Sequence, residues 1–310
     1  MIKKSEILFL YEATYTVPNG DPFTGEQRYD DETKKILVSD VRIKRYIRDQ
    51  VAQTEPETIF VLHDPTAVKA EKVVAAKGEK AAVAESGAAA RAKFLAKDGM
   101  TLELFTKLYD VRLFGGIVTA KNGAINLTGP VQFALLNPSL NKVDLRMHQN
   151  TSVFASSTEK TRGAIGTTTV VPYAVLQIHG WINPYSAEQT NLTEADITRM
   201  FKSLWDGVNN ANTRTKANQS SLLILQVVYK DTTSKVYGLD RTVTLTPREG
   251  IRDEQLRDER DYVLDFSEFR SRVLDSDKVA EVRYHTETAR FETALKGLGH
   301  PKLKPLSLAG

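Results

Sequence analysis

Residues 6–22 read EILFLYEATYTVPNGDP, an apolar and aromatic run that stops at a cluster of turn-forming residues. Aliphatic, aromatic and threonine residues dominate positions 6–17, which predicts a β-strand. Pro18, Gly20 and Pro22 then predict a tight turn, because proline and glycine impose backbone angles that a strand cannot continue. The chain therefore begins with a strand that ends in a polar loop.

A helix is predicted after this loop. Ser39 and Asp40 form a typical N-cap, so the helix runs over about residues 41–53. Apolar residues at a spacing of four define its buried face, at Ile43, Ile47 and Val51. Arginines repeat every three residues beside that face, at Arg42, Arg45 and Arg48. The helix is expected to carry a basic stripe next to its buried side.

The order of the remaining elements indicates the fold class. Residues 59–62 form a short apolar run that could be a strand, and residues 66–97 are rich in alanine, lysine and glutamate, which predicts helices in a peripheral insertion. Strands are predicted within residues 124–136, 173–182 and 222–229, and Thr193 with Asp196 resembles a capping box. This order predicts an α+β domain with a largely antiparallel sheet and a ferredoxin-like or RRM-like core.

Composition narrows the class of protein. The chain has 310 residues, of which 41% are hydrophobic, enough for one large core with insertions and too many for a disordered chain. Lysine and arginine number 42 against 39 acidic residues, so bulk charge argues neither for nor against nucleic acid. Cysteine is absent, which excludes disulfides and thiolate zinc sites. No apolar stretch has the length of a membrane span, and a cytoplasmic protein is expected.

Two segments are candidates for contact with a polyanion. The first joins the loop at Asn19, Gly20 and Asp21 to the start of the helix, where backbone N–H groups and arginines could cradle phosphates. An ordinary turn followed by a solvated basic face explains the same residues. The second is residues 137–169, a long polar stretch that suits a flexible or hairpin-like arm, although a mobile surface loop fits equally well. Its candidate contacts are Lys142, Arg146, Met147, His148, Gln149, Lys160 and Arg162.

A third candidate is the sequence LFGG at residues 113–116. Gly115 and Gly116 would let another chain approach closely, and Phe114 could stack or pack. The alternative is a helix C-cap preceded by a buried phenylalanine.

Signals for an enzyme are weak. The five histidines are scattered without metal-ligand spacing, and the sequence holds no P-loop motif. Acidic residues at positions 30–32 could bind Mg²⁺, but an exposed acidic turn is commoner. His148 could serve an RNase, yet it has no evident partner for acid–base catalysis. No catalytic residue, metal site or cofactor is expected.

Three segments together resemble a known family, the backbone subunits of type I CRISPR Cascade complexes, which belong to the repeat-associated RNA-binding superfamily. The segments are PNGDP at residues 18–22 leading to LVSDVRIKRYIRD at 37–49, DVRLFGG at 110–116, and TGPVQF at 128–133 leading to VPY at 171–173. Their order and spacing are specific in combination, and the nearest likeness is to the subtype I-B and I-C branch.

The resemblance implies a shape like a right hand. It implies an RRM-like palm of residues 1–54 and 111–300, a helical finger insertion at 55–110, a β-hairpin thumb at 139–169 and a tail at 301–310. Copies would stack head to tail along a guide RNA into a helical filament that presents the guide to target DNA. The partners implied are guide RNA (crRNA), target DNA through the guide, copies of itself and other Cascade subunits, with no membrane.

The resemblance also implies roles for individual residues. Met147 would be the wedge that displaces a base. The full set of RNA-binding residues implied is Asn19, Gly20, Asp21, Arg28, Ser39, Arg42, Lys44, Arg45, Phe114, Gly115, Gly116, Gln132, Met147, Gln149, Lys160 and Arg162. The alternative is a type III-like backbone subunit that cuts target RNA with a metal ion held by Asp30 or Asp31.

Overall fold

The computed structural model describes residues 2–62, 101–120, 123–151 and 165–308. The strands are β1 Ser5–Thr16, β2 Tyr29–Asp30, β3 Lys35–Ser39, β4 Gly115–Ala120, β5 Gly123–Thr128, β6 Val131–Phe133, β7 Leu136–Pro138, β8 Arg146–Thr151, β9 Ile165–Ile182, β10 Gln219–Tyr229, β11 Thr244–Pro247, β12 Tyr262–Asp265, β13 Val279–His285 and β14 Leu303–Pro305. The helices are α1 Asp40–Ala52, α2 Leu102–Thr106, α3 Tyr109–Phe114, α4 Pro184–Thr190, α5 Glu194–Asn209, α6 Ser267–Phe269 (continued by a π-helical turn at Arg270–Leu274) and α7 Ala289–Gly297.

A seven-stranded sheet organises the chain. Six strands follow the order β14-β13-β10-β1-β9-β6, and β8 pairs with the extended end of β9. In the middle, β1 is antiparallel to both neighbours, so that Phe9 lies opposite Ile224 on one side and Ile178 on the other. In chain order, with shorter elements between them, β1, α1, β6, β9, α5 and β10 give the order β-α-β-β-α-β. The predicted α+β architecture with a largely antiparallel sheet is confirmed.

Both faces of the sheet are covered, so β1 is buried almost throughout. Phe9 and Tyr11 belong to the core that α1 and α5 complete. Leu8 and Leu10 belong to a second core with Tyr262 and other residues of the C-terminal third. Burying a side chain of this size stabilises the fold by roughly 1.5–3 kcal/mol. The continuous apolar run of β1 therefore reflects two cores rather than one.

The two long helices begin and pack as their sequences indicate. Ser39 caps α1, whose buried face contains Ile43, Ile47 and Val51. The predicted capping box of α5 is present, with Thr193 and Asp196 bonded reciprocally. Within the residues that the structure describes, no helix combines the length and apolarity needed to cross a bilayer.

Some predicted boundaries are wrong. Residues 301–310 are not a free tail, since Leu303–Pro305 forms β14 against the outer edge of β13 and Leu306 is buried. Residues 59–62 are not a strand, because the N–H groups of Phe60 and Val61 donate to the side chain of Asp110 and not to a neighbouring strand. Only the two ends of the predicted finger insertion, 55–62 and 101–110, lie within the described residues.

Candidate nucleic-acid interface

The polar loop after β1 is fastened to the start of α1 by Asn19. Its side chain is only 7% exposed, and its Oδ1 accepts hydrogen bonds from the N–H of Ser39 at 2.6 Å and from the Ser39 hydroxyl at 2.8 Å. The Ser39 oxygen in turn accepts from the N–H of Arg42 at 3.4 Å. The two predicted residues Asn19 and Ser39 therefore use their side chains to position the helix. The third, Gly20, forms an antiparallel bridge with Gln27 in the same loop.

Most of the predicted cations are neutralised within the chain. Arg28 pairs with Asp21 at 3.2 Å, Lys44 with Asp40 at 3.1 Å, and Arg45 with Asp49 at 2.8 Å. Lys44 also donates to the amide oxygen of Gln132 at 3.2 Å, which places that predicted residue beside the helix. A charge already paired with a carboxylate attracts a phosphate less strongly than a free one.

Arg42 differs from these neighbours. Its guanidinium carbon lies 3.9 Å from the centre of the Tyr46 ring, and it forms no ion pair with any carboxylate in the described part of the chain. Its Nε is buried and has no hydrogen-bond partner among those residues. Arg42 is therefore the cation of this helix with the most capacity to bind an anion.

Lys216 lies beside Arg42, and the sequence analysis did not predict this residue as part of the site. The two residues line one cleft of about 370 Å³, and the ammonium of Lys216 donates to the carbonyl oxygen of Val17. Burial, and secondarily the charge of Arg42, lowers the pKa of Lys216 to about 8. Its loop, NNANTRTKAN at residues 209–218, has neither periodicity nor a motif that would have indicated this position.

The lowered pKa gives a measurable dependence of stability on pH. Between about pH 8 and the ordinary lysine value of 10.5, the unfolded chain holds a proton on Lys216 that the folded chain has released. Burial of the charged lysine therefore lowers stability fully below about pH 8, and this penalty is relieved as the pH rises across that window, because stability rises with pH wherever the unfolded state binds more protons. In urea denaturation from pH 7 to 10.5, the unfolding free energy of wild type minus that of Lys216→Met should increase with pH. A value that stays constant over this range would contradict the shift.

The LFGG segment contacts its own chain. Phe114 is buried against Phe133, with ring centres 6.4 Å apart, and the guanidinium of Arg48 lies over its ring. A Cβ on Gly115 would lie 2.1 Å from the carbonyl oxygen of Leu127, and one on Gly116 would lie 2.9 Å from the Phe105 ring. Of the two readings that the sequence left open, the structure therefore has the helix C-cap at Gly115 preceded by a buried phenylalanine, and the α3–β4 junction packs tightly against β5.

The predicted hairpin is present in its described part. β8 pairs with the start of β9, with Met147 opposite Thr169 and Gln149 opposite Thr167. Met147 is 72% exposed, and Gln149 is exposed as well. The arm is shorter than expected, because Asn141 and Val143 are buried in the body, and it begins near Arg146. Lys160 and Arg162 lie outside the described residues.

Asp30, the first of the carboxylates that suggested a metal site, has a structural role in its own turn. The Oδ1 of Asp30 accepts from the N–H groups of Glu32 and Thr33, and its Oδ2 accepts from the Thr33 hydroxyl at 2.7 Å. The Thr33 hydroxyl is the main reason that the pKa of Asp30 is lowered. His148 is exposed on β8 and forms no ion pair within the described residues, which contain no acidic or histidine cluster suited to a metal ion.

Comparison with known proteins finds one family and several similar structures. Residues 3–267 match the family described as CRISPR-associated protein Cas7. A relative of that description from Haloferax volcanii is 30% identical over 292 aligned residues, covering 86% of this chain and 82% of the relative. A solved chain described as "CRISPR RNA-guided surveillance complex" has a TM-score of 0.53 at 14% identity and covers 93% of this chain and 90% of its own. Another, described as the same complex "pre-nicking", has a TM-score of 0.50 at 12% identity and covers 93% of both chains.

Proposed function

Because the chain belongs to the family of CRISPR-associated protein Cas7, as a Cascade backbone subunit, we propose that it binds the sugar-phosphate backbone of a guide RNA in CRISPR defence. The observation that carries this proposal is the cluster of Arg42 and Lys216, which no carboxylate pairs with in the part of the chain that the structure describes. Phosphates attract such cations without regard to base sequence. A protein that binds RNA through its phosphates in this way would accept guide RNAs of any sequence.

The wider assembly is part of the same proposal. The β-α-β-β-α-β sheet would be the RRM-like palm, and the hairpin of β8 and β9 would be the thumb, with exposed Met147 as the wedge that displaces a base. Identical copies joined head to tail do not close into a ring, so they would form a helical filament along the guide. The bases between wedges would then pair with target DNA.

We propose no catalytic step for this chain. Asp30, which the type III-like alternative would use to hold a metal ion, employs both carboxylate oxygens in the turn between β2 and β3. Nothing in the described residues favours target cleavage over binding, so the test of function is a binding test.

Replacing Arg42 and Arg45 together by alanine should weaken RNA binding on the order of tenfold, since charge-assisted hydrogen bonds contribute about 1.5–3 kcal/mol each. The loss should be equal for unrelated guide sequences, and the salt dependence of affinity should become shallower by about one phosphate contact or more. Most of it should appear in Arg42→Ala alone, because Asp49 already neutralises Arg45. Fluorescence anisotropy with two guide-length RNAs over a salt series measures both quantities.

The matched control is Arg260→Ala. Arg260 is exposed on the turn before β12 and pairs with Asp258 at 2.6 Å, so this change removes one positive charge outside α1. Its RNA affinity should equal that of wild type. A wild-type protein that binds no RNA would reject the proposed function. A double variant that binds RNA as tightly as wild type would show that the phosphate contact is not at Arg42 and Arg45.

A further inference from the structure

Tyr15, near the end of β1, has a backbone conformation that is unusual for its residue type. Its φ is +46°, in the left-handed region that residues with a Cβ seldom adopt and bulky residues adopt least. Such strain persists only where the surrounding structure imposes it, and it concentrates at binding sites. The strained backbone at Tyr15 therefore marks this position as a candidate binding site.

The strain brings the tyrosine ring to the surface. Alternate residues of a strand face the same side, and Phe9, Tyr11 and Ala13 are all fully buried on the side that the helices cover. A regular strand would place Tyr15 on that side too. Its side chain is instead 55% exposed. The backbone is strained, and the result is an aromatic ring presented to solvent.

The backbone on both sides of Tyr15 is bonded to the loop that carries Lys216. On one side of Tyr15 the N–H of Thr14 donates to the carbonyl of Asn218, and on the other the N–H of Val17 donates to that of Thr215, each at 3.0 Å. The Lys216 ammonium donates to the carbonyl oxygen of Val17, which is two residues after Tyr15 and directly follows the last residue of β1. Arg42 lines the cleft that contains Lys216.

The same part of β1 leads to the hairpin. Thr16 pairs with Val171, which directly follows the segment of β9 that pairs with β8. An RNA strand crossing the hairpin would pass the end of β1. An aromatic ring and two cations at this place form the combination by which proteins bind single strands, since a ring stacks on any base and cations bind phosphates.

We propose that Tyr15, Arg42 and Lys216 form a nucleotide subsite, in which Tyr15 stacks on one unpaired base of the guide RNA and the two cations bind the adjacent phosphate. This subsite rests on the proposed guide-binding function and adds a base contact to it. Stacking accepts every base, so the subsite fixes the position of a nucleotide without reading its identity.

The test uses guide-length RNAs that carry the fluorescent base 2-aminopurine at one position each, bound to the full-length protein. Stacking on Tyr15 should quench the probe at particular positions in wild type and in Tyr15→Phe. In Tyr15→Ala the quenching at those positions should disappear, and affinity should fall about tenfold, as is usual for loss of one stacked base. The control is Tyr185→Ala, which removes a tyrosine of similar exposure that follows the far end of β9 and should change neither quantity.

A second variant separates stacking from damage to the fold. Tyr15→Gly relieves the positive φ, so it should raise the melting temperature of the free protein while still abolishing the quenching. Normal RNA affinity with unchanged quenching in Tyr15→Ala would reject the subsite and leave the proposed function standing. The same probe can be placed in a DNA strand paired to the guide. If Tyr15 quenched the probe in that DNA strand and not in the guide RNA, the proposed subsite would also be rejected. A wild type that binds no RNA would reject both.

Discussion

The Asp110→Ala variant is expected to lose about 3–5 kcal/mol of unfolding free energy, the cost of breaking a buried ion pair by removing one partner. Asp110 is fully buried, and its carboxylate accepts a hydrogen bond from Arg48 at 2.7 Å. It also accepts from the N–H groups of Phe60 at 2.6 Å and Val61 at 3.0 Å. Alanine would leave the guanidinium and both N–H groups without an acceptor in the interior.

Urea denaturation monitored by far-ultraviolet circular dichroism measures this loss. The control is Asp206→Ala, because Asp206 forms a single ion pair with Lys202 at 2.8 Å on the outer side of α5, where such pairs contribute about 1 kcal/mol or less. Equal losses in the two variants would show that the Asp110 carboxylate does not hold these groups together. Because residues 60–61 and α3 stand at the two ends of the predicted finger insertion, the Asp110 variant should also loosen the base of that insertion.

Local patterns in the sequence predict the elements well. The apolar run that becomes β1, the spacing of Ile43, Ile47 and Val51 on α1, and the capping box at Thr193 each depend on residues a few positions apart. Periodicity and capping record interactions within one element, so they can be read from one segment. The order of these elements then limits the topology to a few arrangements.

Contacts between distant segments leave no such local pattern. Asp110 bonds to residues 49 and 50 positions earlier in the chain, and Lys216 bonds to Val17, which is 199 positions away. A lysine that bonds to the loop after β1 and lies beside a residue of α1 has no sequence spacing that distinguishes it from a solvated lysine. The sequence therefore places the candidate site on α1, but it does not identify Lys216 as a further member of that site.

The exposure of Tyr15 and the packing of the LFGG segment could not be predicted from the sequence for a different reason. Strand alternation predicts a buried Tyr15, and the structure departs from it through one backbone angle. The glycines were correctly associated with close approach, but the approaching backbone is β5 of the same chain. Residue type indicates what a position permits, whereas the identity of its neighbour depends on the fold.

The Gly115→Ala variant is expected to lose about 3 kcal/mol or more of unfolding free energy. Gly115 has φ of +71° and ψ of −168°, a conformation that is essentially restricted to glycine and that costs other residues about 1–3 kcal/mol. The added Cβ would also lie 2.1 Å from the carbonyl oxygen of Leu127 and 2.4 Å from the nitrogen of Gly129. Both contacts are backbone atoms, one in β5 and one in the residue that follows it, so β4 and β5 must separate, at a further cost of about 1–3 kcal/mol.

Gly250→Ala separates these two costs. Gly250 has φ of +81° but nothing within 4 Å of an added Cβ, so it should lose only the conformational part, about 1–2 kcal/mol. The difference between the two variants, measured by denaturation, reports the close approach at Gly115. If Gly115 instead served the RNA, its alanine variant would match Gly250→Ala in stability and bind guide RNA less tightly at temperatures where both are folded. The buried position of the α3–β4 junction predicts the opposite: a large loss of stability, with RNA affinity retained by the molecules that remain folded.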